Sequence, residues 1–213
     1  MTIKHHISDS LLMAYSAGQL PEAFNLVVAT HLSMCDECRA ALGGFDAVGG
    51  ALVENADLAT VSDAALEATL AMIASLKPVA DTRAREVGIF PAPLADYVGG
   101  DLDAVKWQSL GRGVRQAILP TAKGASVRLL HIPAGQAMPD HGHRGTELTL
   151  VLQGAFSDGS GRYNRGDVDI ETAATQHTPV AEGNLPCICL SATDAPLRFT
   201  GFIPRILQPL FRI

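Results

Sequence analysis

The stretch His31-Leu-Ser-Met-Cys35-Asp-Glu-Cys38 carries one histidine and two cysteines at intervals of four and three residues. Residues at these intervals lie on one face of an α-helix, so the imidazole and both thiols are expected to converge. Two sulfurs and one nitrogen suit a tetrahedral zinc ion, which requires a fourth ligand. The adjacent pair His5 and His6 offers that ligand. The stretch therefore predicts a zinc site that fastens the N-terminal segment to a helix.

A Cys-x-x-Cys pair by itself also occurs in redox proteins and in haem proteins. No histidine follows Cys38, which excludes the haem-attachment motif. No βαβ pattern surrounds the cysteines, which disfavours a thioredoxin-like redox pair. The remaining alternative is two partly buried cysteines beside a surface histidine, and zinc is the better interpretation.

Apolar periodicity and breaker residues divide residues 1–76 into four predicted helices. They begin at Ser8 or Asp9, at Pro21, near Glu37 and at Ser62, and the first, third and fourth end at Gly18, near Phe45 and at Lys77. The second runs into the cysteine stretch, and two glycine pairs weaken the third. In the fourth, Leu66, Leu70 and Ile73 form an apolar stripe that suits either a core or a partner-binding face. Three short helices offer little surface to cover this stripe, so we favour contact with a partner.

Prolines and charged residues between positions 77 and 94 show no clear periodicity and predict a linker, which we place at residues 86–94. From residue 95 onward, short apolar runs alternate with turn residues. The predicted strands are Gly113–Leu119, Ala125–Ile132, Glu147–Leu152, Asp167–Ile170, Cys187–Leu190 and Leu197–Ile203. Many short strands with regular turns indicate a sandwich or barrel. The predicted fold class is a two-domain α + β protein, with about four helices in residues 1–85 and a β-sandwich or jelly-roll barrel in residues 95–213.

A second group of candidate metal ligands lies in the β region, in the pattern Gly135-x5-His141-x-His143-x3-Glu147-x6-Gly154. His141 and His143 are two residues apart in an extended segment and point to the same side. Glu147 follows after a short turn, and His177 lies further along the chain. Three imidazoles and a carboxylate suit zinc or another divalent transition metal such as iron, manganese or nickel. The alternative is a barrel whose histidines pack without a metal.

Cys187 and Cys189 lie two residues apart in a predicted strand and face the same way. Strand geometry holds their Cβ atoms too far apart for an easy disulfide. Packing in the core is the default for free cysteines. The alternative is a thiol pair that faces the barrel interior near the metal, where oxidation would report stress.

The chain has 213 residues, of which 47% are hydrophobic and 18% charged, as in ordinary soluble globular proteins. No apolar run is long enough to span a bilayer and the N-terminus lacks a signal peptide, so we expect a cytoplasmic protein without a membrane partner. The net charge of −6 lies entirely within residues 1–90, which hold five basic and eleven acidic residues. An acidic surface disfavours direct binding of nucleic acid and suits a basic protein partner, although it also serves solubility.

Both ligand patterns resemble those of known families. The pattern His31-x3-Cys35-x2-Cys38 with an upstream histidine is similar to the signature of zinc-binding anti-sigma factors. The pattern from Gly135 to Gly154 matches the first cupin motif at every named position. Gly166-Asp167 with His177 resembles the second cupin motif, whose later proline and asparagine are out of register. Together these features resemble the ChrR-type anti-sigma factors, in which a zinc anti-sigma domain is fused to a cupin, and the resemblance covers essentially the whole chain.

This resemblance implies that residues 1–85 bind and inhibit an extracytoplasmic-function sigma factor, with helices inserted between the two domains of that factor. It implies His6 as the fourth zinc ligand, because the separation of His6 from His31 suits the family better, and leaves His5 as the alternative. The cupin would hold a metal through His141, His143, Glu147 and His177. A signal of oxidative or singlet-oxygen stress, received with the help of the cupin, would release the sigma factor. The expected protein is a regulator and not an enzyme.

The alternative function is a metal-dependent cupin enzyme, such as a dioxygenase or an isomerase, with the helical part as an assembly domain. A metal with open coordination positions can activate oxygen or polarise a substrate. Against this alternative, the sequence shows no second set of acid–base groups beside the motif. Cupins host both roles, so the fold does not separate them.

Overall fold

The structure is a computed structural model that describes residues 2–76, 88–199 and 201. Its helices are α1 (Asp9–Ser16), α2 (Glu22–Leu32), α3 (Asp36–Glu54), α4 (Ala65–Ser75) and α5 (Ala92–Val98), followed by a 3₁₀ turn at Leu102–Ala104. Its strands are β1 (Gln108–Gly111), β2 (Val114–Leu119), β3 (Ser126–Ile132), β4 (His141–Gly142), β5 (Glu147–Gln153), β6 (Ala155–Ser157), β7 (Arg162–Asn164), β8 (Val168–Glu171), β9 (Gln176–His177), β10 (Val180–Glu182), β11 (Cys187–Thr193) and β12 (Arg198–Phe199). A helical N-terminal region followed by a β-sandwich confirms the predicted fold class. None of the described helices is long and apolar enough to cross a membrane.

The described strands pair antiparallel in three sheets. A six-stranded sheet has the order β1-β2-β3-β11-β5-β8, and two three-stranded sheets have the orders β10-β6-β7 and β12-β4-β9. Period-two alternation gives the large sheet two different faces. On β5, Leu148 and Leu150 point outward to a core shared with the helices, whereas Val151 belongs to an inner core shared with the β10-β6-β7 sheet. β12 covers only part of the predicted strand Leu197–Ile203, of which residues 200, 202 and 203 lie outside the described residues.

Helix α2 lies on the outer face of the large sheet and is buried on most of its sides. Phe24 and Val27 belong to the same apolar cluster as Leu148 and Leu150 of β5. Helix α5 packs against α2 and adds Leu94 to that cluster. Because burial of each large apolar side chain contributes roughly 1.5–3 kcal/mol, the helices and the sheet stabilise one another.

The end of the predicted linker is folded. Phe90 and Leu94 are buried, and α5 begins inside the segment predicted to be a linker. The prolines that suggested a linker instead start this helix, since Pro91 occupies its N-cap and Pro93 its first turn. Residues 77–87 lie outside the described residues, so the predicted domain limits remain a prediction.

Two helices differ from their predicted form. Helix α3 continues through both glycine pairs instead of ending near Phe45. Tertiary contacts outweigh the low helix propensity of glycine, because Phe45 packs against the core and Asp46 accepts a hydrogen bond from Ser16 of α1. Ser62 does not cap α4, which begins at Ala65 without a side-chain cap.

We expect Leu94→Ala to lower the free energy of unfolding by about 2–5 kcal/mol, because the substitution leaves a cavity in the core between α5 and α2. Denaturant unfolding followed by circular dichroism measures the change. Leu58→Ala is the matched control, since Leu58 is 100% exposed and its substitution should change stability by less than about 0.5 kcal/mol. Equal stability of the two variants would show that α5 is not part of the core.

Candidate metal centres

The cysteine stretch forms a corner between two helices instead of one helical face. His31 lies in the last turn of α2, Cys35 is the N-cap of α3 and Cys38 lies in the first turn of α3. The Cys35 sulfur accepts a hydrogen bond from the backbone N–H of Cys38 at 3.4 Å. The expectation that helical spacing alone makes the ligands converge is therefore wrong. Convergence comes from the turn at Ser33 and Met34, which redirects the chain between the helices.

Four potential ligands meet at this corner. His6 Nδ1 lies 3.3 Å from Cys35 Sγ and 3.6 Å from Cys38 Sγ. His31 Nε2 lies 3.2 Å from Cys38 Sγ, and all four ligand atoms lie within 4.8 Å of one another. The alternative ligand His5 points away, with its ring 4.4 Å from that of Tyr163. Two sulfurs and two nitrogens at these separations suit a tetrahedral metal ion.

The surroundings of the corner keep the His31 imidazole in the neutral form that a metal requires, but they hold Cys38 as a thiol. The backbone carbonyl of Gly166 lies 2.9 Å from His31 Nδ1 and can only accept, so Nδ1 carries the proton and Nε2 keeps its lone pair for a metal. Burial lowers the pKa of His31 to about 4, which keeps the imidazole neutral. Burial also raises the pKa of Cys38 to about 11, so a cation must displace the thiol proton when it binds.

A second group of ligands lies inside the sandwich. His141 on β4 pairs in register with His177 on β9, and their Nε2 atoms lie 3.3 Å apart. His143, just beyond β4, places its Nε2 atom 3.3 Å from His177 Nε2. The three imidazoles are mostly buried and their ligand atoms lie within 4.8 Å of one another. Three of the four residues predicted for this site are thus brought together.

The fourth predicted residue, Glu147, lies behind His143. Its Oε2 atom is 3.1 Å from His143 Nδ1, yet both atoms are buried without a hydrogen-bond partner. Burial raises the pKa of Glu147, but the close approach of His143, a hydrogen bond from the Ser191 hydroxyl and the charges of nearby imidazoles outweigh it and lower the pKa to about 2. A buried, ionised carboxylate with an unpartnered oxygen beside three imidazoles is the arrangement that a cation would complete.

Further carboxylates surround His177 that the sequence analysis missed. Asp158 Oδ2 lies 2.7 Å from His177 Nδ1 and Glu171 Oε1 lies 3.6 Å from it, an arrangement that fixes the ring and leaves Nε2 for a metal. Asp169 is also buried, and burial raises its pKa to about 7. Alternation along β8 was the available signal, since it places Asp169 and Glu171 on the same face of the sheet.

His141 and His177 line a cavity of about 590 Å³ inside the sandwich. Most of its wall is apolar, and Cys189 is part of the lining. The sulfurs of Cys187 and Cys189 lie 3.3 Å apart as free thiols, and both residues are buried. The thiol pair therefore faces the interior, whereas its redox role remains a prediction.

Known proteins share both halves of this architecture. Residues 96–195 match the family described as the ChrR cupin-like domain. The anti-sigma-E factor ChrR of Cereibacter sphaeroides is 58% identical over 214 residues, which cover 100% of both chains. The chain belongs to the ChrR family. A chain in the crystal structure of Rhodobacter sphaeroides SigE in complex with the anti-sigma ChrR is 56% identical with a TM-score of 0.81, covering 91% of this chain and 100% of that one. An RmlC-like cupin protein from Ralstonia eutropha JMP134 is 26% identical with a TM-score of 0.41, covering 48% and 71%.

This ChrR family member also exposes apolar side chains on two of its helices. Helix α4 buries none of its residues against the part of the chain that the structure describes. The large apolar residues exposed on the second half of α3 and on α4, named here the α3/α4 surface, are Val48, Leu52, Val53, Leu66, Leu70, Met72 and Ile73. The stripe predicted from Leu66, Leu70 and Ile73 is thus not part of the core.

Proposed function

We propose that this chain binds an extracytoplasmic-function sigma factor through residues 1–85 and keeps it from RNA polymerase. The α3/α4 surface carries this proposal, in a chain whose relative has been crystallised in complex with SigE. Because a folded protein rarely leaves large apolar side chains clustered on a helix without a partner, such surfaces mark sites of interaction. Leu70 and Ile73 are 54% and 59% exposed, which leaves them free to contact one.

Charge supports the same choice of partner. All of the net charge of −6 lies within residues 1–90, the part that carries the α3/α4 surface. A sigma factor presents basic surfaces to promoter DNA and to polymerase, and an acidic protein would be attracted to them. The same charge disfavours direct contact with DNA.

The proposed metal of the helical corner is Zn²⁺, held by His6, His31, Cys35 and Cys38. Zinc at this site would join the N-terminal segment, the end of α2 and the start of α3. Structural zinc of this type contributes folding free energy directly. Its role would be to fix the helices that bind the sigma factor.

The proposed role of the cupin is to receive the signal. His141, His143 and His177, with Glu147 as a fourth donor, would hold Zn²⁺ or another divalent transition metal. Oxidative or singlet-oxygen stress would change the cupin, weaken the inhibitory contact and free the sigma factor. Because the proposed partner is a sigma factor, which acts with RNA polymerase, we place the protein in the cytoplasm.

Co-expression of the full-length chain with candidate sigma factors tests the proposal. Full length is the appropriate form, because α2 shares its core with the sheet. We expect a one-to-one complex on size-exclusion chromatography, with zinc in the corner site. If no extracytoplasmic-function sigma factor of the source genome forms a complex with the chain, the proposal is overturned.

His141→Ala should empty the cupin centre without weakening sigma binding, because the imidazole lies inside the sandwich and far along the chain from the α3/α4 surface. Metal analysis and binding assays measure the two effects, and reporter transcription under singlet-oxygen stress should lose its induction. His131→Ala is the matched control, since His131 lies outside the metal group and contacts Arg115 instead. Loss of sigma binding in His141→Ala would show that the cupin centre belongs to the inhibitory surface.

The enzyme alternative has lost its support, because the full-length relative is an anti-sigma factor and the chain belongs to that family. Cupin enzymes also occur among the solved structures that resemble the chain, but these resemblances are weak. Turnover of a substrate by the metal-loaded protein would be needed to restore it.

A further inference from the structure

The N-terminal segment that precedes the corner site is held by the cupin and not by the helices alone. The backbone N–H groups of Lys4 and His5 donate to Asp167 Oδ1 at 2.7 and 3.0 Å. The backbone carbonyl of His5 accepts from the N–H of Val168 at 3.1 Å. His6, the next residue, is one of the four corner ligands. The position of this ligand is therefore set by the turn that leads into β8.

Asp167 is built to hold this segment in place. It is 1% exposed, and its second oxygen accepts from the backbone N–H of Asn164 at 2.8 Å. Three backbone donors thus converge on one buried carboxylate. Such charge-assisted hydrogen bonds are about twice as strong as neutral ones, so the segment and the turn behave as one unit.

The same turn supports a second corner ligand. The Gly166 carbonyl orients the His31 imidazole through Nδ1 at 2.9 Å. Gly166 also has a positive φ of 92°, and a Cβ atom there would lie 2.7 Å from Ile3. Only glycine lets the N-terminal segment pack so closely against the turn while its carbonyl points at the imidazole. Two of the four corner ligands thus depend on residues 166–168.

The strand that begins at this turn ends at the cupin centre. Glu171, on the same strand β8, places Oε1 3.6 Å from Nδ1 of His177. Buried Asp169 lies between the turn and Glu171 along the strand. The six residues from Gly166 to Glu171 therefore contact His31 of the corner at one end and His177 of the cupin centre at the other. A rearrangement around His177 can therefore reach the corner through the short chain segment from Glu171 back to Gly166.

We propose that the turn Gly166–Val168 positions His6 and His31 and couples the metal affinity of the corner to the occupancy of the cupin centre. The coupling rests on the proposed function only in that both centres hold a metal, and it does not depend on a sigma factor. Coupling of this kind is reciprocal, so metal at either site strengthens binding at the other.

The first test titrates full-length Asp167→Ala with Co²⁺, whose thiolate charge-transfer absorption reports only the corner site. We expect affinity at this site to fall about 10–100-fold, the usual effect of losing a group that orients a metal ligand. Asp167→Asn, which keeps one acceptor oxygen, should fall less. Asp101→Ala is the matched control, because Asp101 likewise accepts backbone N–H groups, from Ile89 and Leu102, but lies apart from both centres. Unchanged Co²⁺ affinity in Asp167→Ala would overturn the positioning role.

The second test keeps the turn intact and so remains valid if Asp167→Ala fails to fold. The rate at which a chelator removes Co²⁺ from the corner is compared between the metal-loaded wild-type protein and His141→Ala. We expect release to be several-fold faster in His141→Ala. Equal rates in wild type and His141→Ala would overturn the coupling. Failure to bind a sigma factor would leave both measurements unaffected, so the two proposals fail separately.

Discussion

Cys38→Ser protein is expected to hold no zinc at the helical corner and to lose measurable binding to the sigma factor. Cys38 is buried, and its sulfur lies 3.2 Å from His31 Nε2 and 3.6 Å from His6 Nδ1. Apparent binding free energies of structural zinc reach about 10–16 kcal/mol, as large as the whole stability of many domains. We expect the dissociation constant for the sigma factor to rise more than about 100-fold, since α3 would lose its link to α2 and the N-terminal segment.

Zinc content by mass spectrometry and co-elution with the sigma factor measure the two effects together. Cys187→Ala is the matched control, because Cys187 is an equally buried cysteine outside the corner. Full inhibition by a zinc-free Cys38→Ser protein would show that the metal is dispensable for the inhibitory fold.

Leu70→Glu is expected to weaken sigma binding strongly while leaving the fold intact. The side chain is more than half exposed on a helix that buries none of its residues against the described chain. Its substitution should therefore change the free energy of unfolding by less than about 0.5 kcal/mol. A charge in the centre of an apolar interface costs about 2–4 kcal/mol, which corresponds to roughly a 30- to 1,000-fold rise in the dissociation constant.

Isothermal titration calorimetry with the purified sigma factor measures this change. Leu185→Glu is the matched control, because Leu185 is exposed to a similar extent in the cupin, outside the α3/α4 surface. Wild-type affinity in Leu70→Glu would place the interface elsewhere on the chain. A similar loss in Leu185→Glu would show that the cupin contributes to it.

Much of the corner site could be predicted because its ligands are encoded locally. The spacing of His31, Cys35 and Cys38 limits the ways in which these side chains can approach one another, whether on one helix or across a corner. The choice of His6 over His5 came from resemblance, and the structure explains it physically. The His5 ring packs against Tyr163 of the sandwich, so only His6 faces the sulfurs.

Local sequence pattern predicts only part of the cupin centre. His141 and His143 follow from their spacing in an extended segment, but the position of Glu147 behind an imidazole does not. The carboxylates around His177 come from two other places in the chain, Asp158 and Glu171. Sheet pairing brings them together, and no single stretch of sequence records that pairing.

The sequence by itself determined the fold class and the residue types of both candidate metal centres, because period-two strands, helix stripes and ligand spacings are short-range patterns. Only the tertiary structure decided that α2 shares its core with the sheet and that the helical corner is supported by the cupin. His31 and the Gly166 carbonyl are 135 positions apart in the chain. A contact at that separation depends on how the whole chain packs. Local sequence pattern determines which face of each helix or strand is apolar, but it does not determine which helix packs against which strand.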